Sequence, residues 1–132
     1  MSRHRSCLFV DDDPGLRELI ALNLTAEGID VHVATSGVGI EEIAENLHPD
    51  IVLLDIMMPG RDGYQVLAAL KASEATRDIP VVLLTAKATD AEVWQGWQAG
   101  ADYYLTKPFN IDELIHYIEM IFAEHAKPTT TV

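Results

Sequence analysis

Apolar residues fall into five short runs, each followed by a stretch in which they recur at helical spacing. The runs are Cys7-Leu8-Phe9-Val10, a weaker one from Ile29 to Ala34, Ile51-Val52-Leu53-Leu54, Val81-Val82-Leu83-Leu84 and Tyr103-Tyr104-Leu105. Runs without polar alternation predict strands covered on both faces, as in a parallel sheet. Asp11-Asp12-Asp13, Asp55 and Thr85 end the first, third and fourth, and the fifth leads into Lys107-Pro108.

The intervening segments read as helices. Asp13 before Pro14 predicts a capped start, with Leu16, Leu19, Ile20 and Leu24 on one face and Gly28 beyond the end. Ser36 is expected to cap a second helix carrying Ile40, Ile43, Ala44 and Leu47, stopped by His48-Pro49. Asp62-Gly63 opens a third with Val66, Leu67 and Leu70 inward, and Asp90 a fourth with Trp94 and Trp97, closed by Gly100. Asn110 and Glu113 read as a capping box before a last helix with Ile111, Leu114, Ile115, Ile118, Ile121 and Phe122 in a broad stripe. Five β-α units with short loops and right-handed crossovers predict an α/β, doubly wound sheet with helices on both faces.

Composition narrows the function. The 132 residues suit one domain, and 48% hydrophobic residues can fill a core. With 21 acidic and 9 basic residues the formal charge is −12, which argues against direct nucleic-acid binding and against docking on anionic membranes. One cysteine makes no internal disulfide, no Cys/His cluster has zinc spacing, and no apolar run approaches the roughly 18 residues of a membrane span. The expectation is an acidic cytoplasmic domain.

Ligands of an open parallel sheet bind outside the carboxyl ends of its strands. Those ends carry Asp11, Asp12, Asp13, Asp55, Thr85 and Lys107. Any one of these Asp residues serves equally well as a structural cap or loop residue. Four carboxylates, a hydroxyl and an ammonium on one edge are not expected from structure alone. Crowded carboxylates repel unless a cation neutralises them, and Mg²⁺ takes one or two carboxylates, waters and a phosphoryl oxygen. An Asp can act as a nucleophile toward phosphorus, with Lys107 and Thr85 placed to stabilise charge on the transferred group.

The segments FVDDDPG, IVLLDIMMPGRDG, VVLLTAKA and AGADYYLTKPF, in that order and spacing from about Ser6 to His125, resemble the receiver domain of two-component response regulators. The resemblance implies a flavodoxin-like (βα)5 sandwich with a five-stranded parallel sheet in order 2-1-3-4-5, a receiver domain over residues 1–126 and a tail or linker start over 127–132. It makes Asp55 the phosphoacceptor. Asp12 would bind Mg²⁺ (or Mn²⁺) directly and Asp11 mainly through water, with Asp55 and the backbone carbonyl of Met57 completing the protein ligands. Lys107 would reach the phosphoryl group, with a cis peptide before Pro108. Thr85 and Tyr104 would form the switch, moving the face built from the fourth helix, fifth strand and fifth helix. Asp13 is read as a helix cap before a metal ligand, and the Pro59-Gly60 and Asp62-Gly63 turns as structural. The donor would be a phosphohistidine on a sensor histidine kinase or phosphotransfer protein, and the domain would catalyse only its own phosphorylation and dephosphorylation.

Departures from the family pattern qualify this. Tyr103 replaces an acidic residue of a charged dimer network found in winged-helix regulators, and the last helix offers His116 and Tyr117 rather than an Arg. A phosphorylation-dependent homodimer therefore stays open, and Tyr103 with Val93 hints at an apolar partner contact. Trp94 and Trp97 are expected to pack inward. Met57 and Lys87 flank the path of a hydrolytic water without orienting it, which implies a phosphoryl lifetime of minutes or longer. Two rivals remain: a haloacid-dehalogenase-type phosphatase, which leaves Asp55 without a role, and a receiver-like module that binds partners unphosphorylated. The chain carries no effector domain after its last helix, so it reads as a stand-alone regulator or as the receiver of a longer protein.

Overall fold

The computed structural model describes residues 5–58, 61–86 and 90–125. Among them are strands β1 (Arg5–Val10), β2 (Ile29–Ala34), β3 (Ile51–Asp55), β4 (Val81–Thr85) and β5 (Tyr103–Thr106). Helices α1 (Pro14–Ala26), α2 (Ile40–Leu47), α3 (Gly63–Ala72), α4 (Asp90–Ala99) and α5 (Ile111–His125) connect and follow them. All strand pairs are parallel, in the order β2-β1-β3-β4-β5. This is the doubly wound sheet that the alternation of runs and helices predicts, in the flavodoxin-like order that the receiver-domain resemblance implies.

The unbroken apolar runs divide between two cores because successive strand residues point to opposite faces. Leu8, Val10, Val52, Leu54, Val81 and Leu83 face Ile40 and Ala44 of α2 and Val66, Leu67 and Leu70 of α3. Cys7, Phe9, Ile51, Leu53, Val82, Leu84 and Leu105 face Ile20 and Leu24 of α1 and Leu114, Ile118 and Ile121 of α5. Each fully buried aliphatic or aromatic side chain contributes roughly 1.5–3 kcal/mol, so these two layers fix the strand register. Burial also pushes the Cys7 thiol far above its ordinary pKa, making it an inert core residue. No helix among the described residues is long and apolar enough to cross a membrane.

Helix starts follow the local sequence, with one exception. The Asp13 carboxylate accepts from the Gly15 and Leu16 amides at 3.0 and 3.3 Å. Asp62 forms a complete capping box with Gln65, and Asn110 accepts from the Glu113 amide at 2.7 Å. Ser36, expected to cap α2, does not. Its hydroxyl accepts from the Val38 amide two residues on, and α2 begins later, after Gly39. A serine that closes a local turn consumes the oxygen a cap would need.

The two tryptophans also depart from expectation. Trp94 and Trp97 are 64% and 48% exposed, not packed inward. Their three-residue spacing places them on one helix face but does not say which way that face turns. The side chain of Val93, Lys87, the Pro59-Gly60 turn and the tail over 127–132 lie outside the described residues.

At the sheet edge where the strands begin, Lys71 ties three elements together. Its ammonium donates to the Arg77 and Ile79 carbonyls at 3.1 and 3.0 Å and lies 3.4 Å from Asp102. The Asp102 carboxylate also accepts from the Val81 amide at 2.8 Å. Nearby, the Arg5 guanidinium sits 5.0 Å above the Phe122 ring.

Candidate functional site

Order β2-β1-β3-β4-β5 puts the ends of β1, β3 and β4 side by side, and each contributes a polar group. Asp55 is the last residue of β3 and pairs in register with Leu84. Asp11 follows β1, its amide donating to the Ala34 carbonyl at 3.1 Å. Thr85 ends β4, and its carbonyl accepts from the Lys107 amide at 2.7 Å, which seats Lys107 beside it. The Lys107-Pro108 peptide is cis.

Carboxylate oxygens of Asp11, Asp12 and Asp55 lie within 4.8 Å of one another. Asp11 and Asp55 are buried, whereas Asp12 is exposed. Asp13 stands outside this trio. Its side chain caps α1, and its amide donates to Asp11 Oδ1 at 2.9 Å, which orients the Asp11 carboxylate. Arg17, a residue that sequence patterning did not single out, donates to the Asp11 carbonyl at 2.9 Å from the first turn of α1.

Lys107 is the cation of the site. Its Nζ lies 2.8 Å from Asp11 Oδ2 and 3.5 Å from Asp55 Oδ1. Asp55 Oδ1 also accepts from the Met57 amide at 3.3 Å. Burial, reinforced by the neighbouring Asp11 charge, holds the Asp55 carboxyl above its ordinary pKa, and Lys107 only partly offsets this. For Lys107 burial acts downward, but the hydrogen bond and charge of Asp11, with Asp55 behind them, raise its pKa overall. The Asp11 and Asp55 carboxylates therefore share this ammonium. Hard oxygen donors in this number suit an oxygen-preferring divalent cation such as Mg²⁺, and among the described residues no thiolate or imidazole joins the trio to favour a softer metal.

The opposite wall of Asp55 is main chain. The Gly63 amide donates to the Ile56 carbonyl at 2.9 Å. A Cβ at Gly63 would lie 2.6 Å from the Asp55 carbonyl oxygen and 2.7 Å from Ile56 Cα. Only glycine lets α3 start this close to the end of β3. Asp62-Gly63 reads from the sequence as an ordinary turn, since a contact across the site leaves no local signal.

Met57 is 73% exposed at the mouth of the site. Tyr104 is half-buried against the α2/α3 core, its hydroxyl 2.8 Å from that of Tyr64 on α3 and its ring 6.4 Å from that of Trp97. In register, Leu83 pairs with Tyr104 and Thr85 with Thr106, so Thr85 and Tyr104 lie on the same sheet face. Tyr103 points the other way, donating to Glu124 at 2.9 Å and packing its ring on Tyr117.

Residues 7–119 match the family model described as the response regulator receiver domain. The DNA-binding dual master transcriptional regulator RpaA of Synechocystis sp. is 43% identical over 108 residues, 82% of this chain and 45% of that protein. The chain thus spans under half the length of that curated relative. The BeF3-activated N-terminal receiver domain of Klebsiella pneumoniae RstA superposes with a TM-score of 0.81 at 34% identity, covering 88% of this chain and 97% of the other. The receiver domain of sensor histidine kinase PA1611 from Pseudomonas aeruginosa, solved with magnesium in its active-site cleft, gives 0.84 at 30% identity, covering 92% and 99%. From the buried Cys7 to Glu119 in the last helix, the chain belongs to the response regulator receiver domain family.

Proposed function

We propose that this domain is a phosphorylation-driven signalling switch in which Asp55 accepts a phosphoryl group from a phosphohistidine on a sensor histidine kinase or phosphotransfer protein. The observation that carries this reading is the gathering of Asp11, Asp12 and Asp55 within 4.8 Å, with Lys107 3.5 Å from Asp55. Asp11, Asp12, Asp55 and the Met57 carbonyl would hold Mg²⁺ or Mn²⁺, which supplies positive charge to phosphoryl oxygens when bound.

An Asp55 carboxylate oxygen attacks phosphorus as the bond to the donor nitrogen breaks. The geometry demands little more than position and charge. The Met57 amide and Lys107 hold the carboxylate, and the close start of α3 at Gly63 fixes its backbone. Lys107 also balances the charge that develops on the phosphoryl oxygens. The Thr85 hydroxyl moves toward those oxygens and Tyr104 follows, shifting the α4-β5-α5 face toward its partner-binding state. The domain acts only on itself, in the cytoplasm, and signals through protein contacts. Its −12 charge keeps it off nucleic acid directly.

The test is incubation with acetyl phosphate and Mg²⁺ followed by intact mass measurement. Wild type gains the mass of one phosphoryl group and Asp55→Asn gains none. Turnover of a phosphomonoester, or a wild type that stays unmodified, refutes the reading.

A further inference from the structure

The hydroxyls of Tyr64 and Tyr104 meet at 2.8 Å across 40 residues of sequence. Both rings are half-buried against the same core, and phenylalanine would fill either space equally well. The hydroxyl pair therefore adds direction rather than packing. Tyr64 immediately follows Gly63, whose backbone is clamped between the Asp55 and Ile56 carbonyls. Beyond Tyr104, the next ring is Trp97, 6.4 Å away and inclined at 55° on the exposed side of α4. A continuous line of contacts thus runs from the Asp55 main chain through α3 to the α4-β5 surface.

We propose that Tyr64 is a positioning residue of the switch, its phenol holding Tyr104 in the conformer seen here so that the start of α3 biases the α4-β5-α5 face in parallel with Thr85. This rests on the reading that Asp55 is the phosphoacceptor and that Tyr104 moves. Tyr104 turns about two side-chain torsions, and a ring that leaves this position gives up the Tyr64 hydroxyl. A neutral hydrogen bond of ordinary strength shifts such an equilibrium roughly five-fold. By linkage, a pair that stabilises this conformer changes phosphoryl binding by the same factor.

The experiment uses the full chain with Trp94→Phe, which leaves Trp97 as the reporter, since the sequence holds two tryptophans. Beryllofluoride serves as the phosphoryl mimic at fixed Mg²⁺, and emission gives the half-saturating concentration. Tyr64→Phe is expected to shift that concentration roughly five-fold and to change the starting emission. Tyr104→Phe removes the other half of the same pair, so Tyr64→Phe added to it should change nothing further. A Tyr64→Phe protein with the parent midpoint and spectrum overturns the proposal. So does a Tyr64→Phe effect that persists undiminished beside Tyr104→Phe. If the parent shows no response to beryllofluoride, the Asp55 reading itself fails and takes this one with it.

Discussion

The Lys107 ammonium sits 2.8 Å from the Asp11 carboxylate, 96 residues away along the chain, and is nearer to it than to Asp55. Asp11 is wholly buried, so Lys107 is its compensating charge. Lys107→Ala should lower stability by about 1–3 kcal/mol, the cost of a buried charged group left without its partner. Urea unfolding at neutral pH measures this. Because the folded-state pKa of Lys107 is raised, its contribution is complete below its ordinary value and fades as pH rises through the folded one. The wild-type advantage over Lys107→Ala should therefore shrink only in strongly alkaline solution.

For Asp55 the slope with pH is the same, but its charged form is the costly one. Burial and Asp11 raise its pKa, so the folded state holds that proton more tightly than the unfolded chain does. The metal-free protein then loses stability as pH rises from the ordinary Asp value through the raised one. Asp55→Asn removes the penalty. Its thermal midpoint near neutral pH, measured with chelator, should exceed that of wild type, and the difference should narrow toward pH about 4. A lower midpoint for the variant would contradict the burial argument.

Asp12 is the exposed member of the trio, so Asp12→Asn should leave metal-free stability within about 0.5 kcal/mol of wild type. Added Mg²⁺ should separate the two proteins. A ligand at 100 times its Kd stabilises by about 2.7 kcal/mol, and the variant should show little of that gain. Thermal melts across a Mg²⁺ series read the difference directly.

Gly63→Ala tests the wall behind Asp55. Its new methyl would meet the Asp55 carbonyl oxygen at 2.6 Å, backbone that has no side-chain freedom to retreat. Overpacking of this kind costs about 1–3 kcal/mol, and phosphoryl uptake from acetyl phosphate should slow as well. Gly28→Ala is the control: its φ of +84° strains an alanine, but nothing lies within 4 Å of the added carbon. That variant should lose stability while keeping wild-type uptake.

Met57 stands at the open mouth of the site with no group to orient a water. The phosphorylated domain should lose its phosphoryl group over minutes or longer, followed by mass after removal of the donor. Decay within a few seconds would show that another group activates the water.

Much of the site was legible because a parallel sheet collects the carboxyl ends of its strands. Once Val10, Leu54 and Leu84 were read as strand termini, Asp11, Asp55 and Thr85 had to share an edge. Lys107 followed from the short fifth run. What resisted reading depends on direction or distance. The spacing of Trp94 and Trp97 gives a common face but not its outward aim, and Ser36 is equally a cap or a turn until the chain is traced. The approach of Gly63 to Asp55 and the meeting of Tyr64 with Tyr104 join segments whose local sequence carries no trace of the contact.

Five of the six basic side chains among the described residues share a habit. Arg5 lies on Phe122, Arg17 on the Asp11 carbonyl, Arg61 on Glu41, Lys71 on Asp102 and two carbonyls, and Lys107 on Asp11 and Asp55. These positive charges are thus engaged by groups of the same chain, while most of the 21 acids remain to set the outer field. A protein that approaches this domain meets a negative potential before it meets any surface detail. Basic partners are steered toward it from beyond contact range, and their capture should slow steeply as added salt shortens the reach of that field to about 10 Å at 0.1 M.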